Sequence, residues 1–285
     1  ASAAQIVAID AATTATITAS SVVDTAANIA TVAGAIGGLA GDAPTVTITG
    51  EVAAGGLVAL PGLLGIADAG VVPATVAADQ AGDLVAALTN LNATDVLTLT
   101  VLDGGLVATA AADLLDLATA GSVDASDVAV VTGSAADILA VVAGDYSLQA
   151  DVGFVVTGVP TLDDLAAIDA ATTGAVTFAD VSGSIAALST SAYVSGSVNV
   201  MVEGGASIVQ LFNLETMTNG ALDFDLRDSA TNLVNNAGGV NAELGYVGTA
   251  NSVTITGAAS VAQIGANFAT ANSPITGTSI VDVVA

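Results

Sequence analysis

The sequence contains no cysteine, histidine, lysine or tryptophan, and Arg227 is its whole stock of basic side chains. The missing cysteines exclude a disulfide framework and thiolate metal sites. Without histidine, cysteine and lysine, the chain also lacks the usual general bases, thiolate nucleophiles and Schiff-base amines. Against the one arginine stand 27 acids, for a net charge of −26. That charge runs against nucleic acid and anionic membrane surfaces as partners and favours cations. Aromatics make up only 3% of the chain, so a thick interior filled by large side chains is excluded. Long apolar runs are missing too: 25–41 and 52–67 are broken by glycines and fall short of the ~20 residues of a membrane span. The chain opens ASAAQ, with no basic segment leading into an apolar one. A secretory signal is therefore expected to have been removed or never to have been part of this product.

What remains is largely alanine and valine. Hydrophobic residues make up 53% of 285 positions and charged ones 10%, which predicts an ordered chain with a thin, regularly stacked core. The segment AIDAATT occurs twice, at 8–14 and 167–173. Aligning the copies places Ile6 opposite Leu165 at the ends of SAAQI and TLDDL. The same pattern recurs as TAANI, SAADI, SIAAL, SIVQL, SATNL and SVAQI, ending at Ile29, Ile138, Leu188, Leu211, Leu233 and Ile264. Weaker copies end at Leu57, Leu84 and Leu114. These eleven anchors lie 22 to 31 residues apart, the spacing of solenoid repeats.

Ser or Thr followed three residues later by a polar acceptor is the signature of a capping box, which satisfies free backbone N–H groups where a helix begins. Each anchor then faces inward from the first helical turn. Upstream of most caps lies a β-like run: 15–18, 45–49, 96–101, 128–132, 153–157, 175–178, 198–202, 222–226 and 252–256. The expected fold is an α/β solenoid of stacked strand–cap–short-helix coils with a parallel β-sheet, forming one domain of about eleven coils over 1–285. An all-β sandwich is the alternative. Looser spacing at 41–68 and 233–264 predicts protruding excursions there, with Gly238 and Gly239 at a turn.

Paired carboxylates are the only acid–base chemistry left. Asp163 with Asp164, Asp113 with Asp116, and Asp223 with Asp225 and Asp228 are the candidates. Asp113 and Asp164 fall at the capping position, however, and alternation puts Asp223 and Asp225 on one solvated face, so no catalytic residue is assigned and no enzyme is expected. Asp24, Glu51, Asp103, Asp180, Glu203 and Asp228 recur where strands meet caps. Aligned by stacking they would repel one another unless hydrated or neutralised, and oxygen-only ligands suit Ca²⁺. Calcium is thus the one cofactor left open, its ligands unassigned, beside the plainer reading of a solvated acidic edge. Arg227 is expected to form a surface ion pair with Asp225 or Asp228, or to bridge a subunit contact. Threonine pairs at 16/18, 45/47/49, 98/100 and 254/256 are similar to the face of ice-binding solenoids but do not fall in successive coils, so strand propensity explains them.

Units such as VVDTAANIA (22–30) and VTGSAADIL (131–139) resemble the Ala-, Thr- and Asp-rich repeats of large surface proteins secreted by cyanobacteria and proteobacteria, among them adhesins and S-layer-like or filament-forming components. That resemblance implies export to the cell surface or beyond and a structural or adhesive role. The expected function is a self-assembling subunit of a bacterial filament or surface layer, polymerising through its terminal coils, with divalent cations as candidate partners. The alternative is an adhesin or ice-binding module of a larger secreted protein.

Overall fold

The computed structural model describes residues 1–13, 21–31, 45–49, 51–52, 73–76, 83–84, 96–102, 106–108, 122–144, 146–238 and 245–280. Within them strands and helices interleave, and the strand pairings are parallel. The fold is therefore α/β with parallel sheets, and among the described residues there are none of the antiparallel hairpins that a sandwich of these strands would need. The chain divides into two compact units: Ala1–Val155 with Ile168–Val176, and Val156–Ala167 with Thr177–Ala285.

The first unit begins with helix α1 (Ala3–Ala12), strand β1 (Ser21–Asp24), helix α2 (Ala26–Thr31) and strand β2 (Thr45–Ile48), which pairs with β1. Strands β3 (Glu51–Val52), β4 (Pro73–Val76), β5 (Val96–Thr100), β6 (Leu106–Val107), β7 (Ser122–Ala125), β8 (Val130–Ser134) and β9 (Tyr146–Leu148) follow, with helix α3 (Ala135–Ala143) after β8. They do not form one sheet in chain order. One sheet has the order β3-β4-β5-β7-β9, and a second contains β6 and β8, continuing to β10 (Gly153–Thr157) and β11 (Val176–Phe178). Between 96 and 157 each repeat thus contributes two strands, where one was expected. The second strand escapes notice because runs such as SVDA and YSL are too short and too mixed in polarity to show a period of two.

The second unit is more regular. Strands β12 (Asp180–Ser184), β13 (Asn199–Ala206), β14 (Leu222–Ser229), β15 (Val253–Ala259) and β16 (Ile275–Ile280) pair in chain order. The helices in chain order are α4 (Leu162–Asp169), α5 (Ile185–Leu188), α6 (Ile208–Glu215), α7 (Ala230–Gly238), α8 (Tyr246–Thr249) and α9 (Val261–Thr270). Alternation along LDFDLRDS sorts β14 into a buried set, Phe224, Leu226 and Asp228, and an exposed set, Asp223, Asp225 and Arg227. Phe224 meets the buried Tyr246 edge to face at 5.9 Å, and the Tyr246 hydroxyl donates to Glu215 at 2.5 Å.

The cap pattern governs every described helix start at which it was read. The N–H three residues on donates to the hydroxyl of Ser2, Thr25, Ser134, Thr161, Ser184, Ser207, Ser229 and Ser260. Gln5, Asp164, Gln210 and Gln263 return the bond by accepting the cap's own N–H. Anchors Ile6, Ile29, Leu84, Ile138, Leu165, Leu188, Leu211 and Leu233 are buried, Ile264 is half-buried, and Leu57 and Leu114 lie outside the described residues. Fully burying each such side chain stabilises by about 1.5–3 kcal/mol, so the anchors form the core while the caps set where each helix begins.

Two kinds of corner carry the chain from strand to cap. In the direct kind the residue before the cap is Asp or Gly: Asp24, Gly133, Gly183 and Asp228. In the bulged kind a glycine with left-handed φ stands three residues before the cap: Gly158 at 78°, Gly204 at 80° and Gly257 at 75°. The bulge shows in the register, since β13 advances from Met201 to Gly205 while β14 advances from Asp223 to Asp225. From Ser134 to Ser260 the corners alternate strictly, direct then bulged, so the corner geometry recurs at every second cap.

Candidate functional site

Several polar side chains of the second unit share the exposed face of the sheet β12–β16. Register places Asp180 beside Asn199, Met201 beside Asp223 and Arg227 beside Thr254. Asn199 donates to Asp180 at 2.9 Å and accepts the Ala221 N–H at 2.8 Å, so one amide ties β12 and β13 to the segment leading into β14. Asn251 donates to Asp223, and the Ser252 hydroxyl donates to Asp225 at 2.6 Å. A cleft of about 220 Å³ opens here, with Val159, Met201 and Leu222 as its apolar wall and Asp180, Asn199 and Asp223 as its polar edge. It can hold a small molecule with an apolar body and a cationic or donor group, since each of its charged side chains is a carboxylate.

The predicted carboxylate sets are mostly dispersed. Asp163 is exposed and Asp164 accepts the Thr161 N–H at 3.1 Å, the cap role that its spacing indicates. Asp113, Asp116 and Asp103 lie outside the described residues, as does the side chain of Glu51. Asp223 and Asp225 share the exposed face, as alternation requires, while Asp228 points to the other side. The three therefore do not form one acid–base group. Among the described residues no three His, Cys, Asp or Glu side chains gather where a metal ion could be held, and no helix is long and apolar enough to cross a membrane.

The ion pair expected of Arg227 does not form among the described residues. Its intended partners are committed elsewhere: Asp225 to Ser252, and Asp228 to backbone and amide donors. Arg227 instead lays its alkyl stem over Gly205, where a Cβ would come within 2.7 Å of the arginine Cβ.

Asp24 and Asp228 occupy the place where the acidic column was expected, and hydrogen bonding explains them there. Asp228 accepts the Ser229 N–H at 2.7 Å, the Asn232 side chain at 2.8 Å and, with its other oxygen, the Ile208 N–H at 3.0 Å. Asp24 repeats this with Thr25, Asn28 and Ala3. Each carboxylate so satisfies the first N–H of the helix that precedes its own strand. The Asn28 amide first, then the Thr25 N–H, and least the Ala3 N–H, hold Asp24 below the ordinary carboxylate value of 3.8, with burial opposing them. The sequence signal for this device, Asp-[Ser/Thr]-x-x-Asn in DTAAN and DSATN, is readable in retrospect.

A second device left a fainter trace. The Thr172 hydroxyl donates to the Val152 carbonyl at 2.6 Å and accepts the Gly174 N–H at 2.8 Å; Thr218 does the same with Val198 and Gly220 at 2.6 and 2.9 Å. A Cβ on Gly220 would sit 2.0 Å from the Val198 carbonyl oxygen, so Thr-x-Gly is required where this loop crosses the backbone leading into β13. No family model, curated protein or solved structure matches this chain.

Proposed function

We propose that the chain is an α/β solenoid of about eleven coils and works as a structural protein, a self-assembling subunit of a filament or surface layer outside a bacterial cell. The observation that carries this reading is the coil-to-coil register: β12 to β16 pair in chain order, and the first N–H of one helix is satisfied by the aspartate of the next coil. Such a build is quasi-one-dimensional and extends by adding like parts, which is the property a polymer subunit uses. The dispersed carboxylates support the reading, because they serve caps and inter-coil ties. Sedimentation velocity and negative-stain imaging of the purified chain test it. Polymers or sheets that grow with concentration are expected, and a monodisperse monomer at every concentration overturns the reading.

Divalent cations belong to this proposal as counter-ions of the net −26 charge. Calcium should raise the melting temperature or the extent of assembly above a chelator control at matched ionic strength. Coincident curves would leave it without a role. The adhesin or ice-binding reading draws support from Thr254 and Thr276, whose hydroxyls stand 3.2 Å apart on neighbouring strands. On β14 the next position in that row is Arg227, which ends it. Thermal hysteresis in an ice-growth assay would favour this second reading.

A further inference from the structure

We infer that the row of helices α5, α6, α7 and α9 is the surface on which a second copy of this chain docks, an inference that rests on the assembly reading above. The four pack in chain order, α5 on α6, α6 on α7 and α7 on α9. Val209 is 64% exposed, Phe212 47% and Val261 57%. Outward helical positions outside the row are filled by alanine, as at Ala27, Ala136, Ala140 and Ala166, and so are those of α5 within it, so the exposed apolar groups of the row sit on α6 and α9; among the other described helices only α1, with Val7 and Ile9, has comparable exposure. Large apolar groups held in water on this row gain by being covered.

Charge selects the occupant. The exposed sheet face of the same unit carries Glu203, Asp223 and Asp225, and α4 opens with Asp163 and Asp164. The four helices of the row contain one acid, Glu215, which accepts the Tyr246 hydroxyl. Between the apolar groups lie neutral polar ones, with Gln263 donating to Thr231 at 3.4 Å across α7 and α9. Two copies of net charge −26 repel wherever their carboxylates face each other. This row lets them meet with the fewest charges opposed. A self-pairing patch of this kind makes an isologous contact.

The test compares the full-length chain with Val209→Glu/Phe212→Glu, with the milder Phe212→Ser and with Ala166→Glu, which adds a charge to an exposed position of α4 outside the row. Sedimentation velocity over a concentration series reads association, and circular dichroism reads folding. The double variant and Phe212→Ser should each weaken association by about tenfold or more, as loss of a central aromatic anchor does, with Ala166→Glu nearly unchanged. Added salt should strengthen association of the unmodified chain, because it screens repulsion between copies that an apolar patch holds together. If the unmodified chain assembles and folded Phe212→Ser assembles equally well, or Ala166→Glu weakens assembly as much, the inference fails and the assembly reading stands. If the unmodified chain never associates, the assembly reading itself fails.

Discussion

The corners at Ser207 and Ser229 begin successive helices and solve one problem in two ways. At Ser229 the strand runs straight into the cap, and Asp228 supplies three acceptor contacts. At Ser207 the strand first bulges at Gly204, whose left-handed φ admits extra residues before the helix starts. The two meet at this pair. The bulge lengthens β13, and the carboxylate of the following direct corner accepts the first N–H of α6, as Asp24 accepts that of α1. A residue that looks like part of an acidic stripe is thus explained by the helix start that it satisfies.

The most damaging way to break the pair should be Asp228→Ala, which strands the Ile208 and Ser229 N–H groups and the Asn232 amide. A loss of roughly 2–4 kcal/mol in urea unfolding is expected from unsatisfied donors at a largely buried site. A loss below about 0.5 kcal/mol would show that water replaces the carboxylate. Gly204→Ala should cost roughly 1–2 kcal/mol through its φ of 80° alone, since nothing lies within 4 Å of the added methyl. Gly183→Ala, in a direct corner with ordinary φ and its nearest neighbour a Leu162 methyl at 3.4 Å, should cost less. Equal costs would erase the distinction between corner types. Ser207→Ala removes one cap hydroxyl and should cost about 1 kcal/mol, with a similar value for Ser229→Ala because the cap itself is common to both corners.

Acidity should produce the smallest and most local effect. Asp24 has a lowered pKa when folded, so its contribution is complete above the ordinary carboxylate value and is lost as pH falls through the depressed one. Amide exchange at Thr25 and Ala3 should quicken over that window in the native chain and show no such step in Asp24→Asn. Tyr246 has the opposite sense: burial first, then Glu215, raise its pKa, so its contribution is whole below the ordinary value of 10 and fades at higher pH. Tyr246→Phe should flatten the alkaline part of the stability curve.

Much of this was legible in the residues themselves. Caps at Ser2, Thr161, Ser207 and Ser260 could be read because a capping box is local, fixed in spacing and distinctive in composition. The buried anchors followed from it. The two-strand repeats of the first unit could not be read, because three or four residues of mixed polarity carry too little period. The two-coil alternation was hidden differently. Its marks are a single glycine at one offset and a single aspartate or glycine at another, and aligning every unit on its cap averages the two classes together. The sheet-face cleft depends on which residues of different coils fall side by side, as with Met201 and Asp223, and a one-residue change of register would dissolve it.

The aspartate that fastens one helix to the next strand also has a mechanical meaning. A chain pulled from its ends transmits load through whatever joins neighbouring turns, and at Asp228 that joint is side chain to backbone as well as strand to strand. A bulged coil and the direct coil after it are riveted there and should yield together. Stretched in a force spectrometer, this stretch of the molecule should lengthen in steps of two turns, and Asp228→Ala should halve the step.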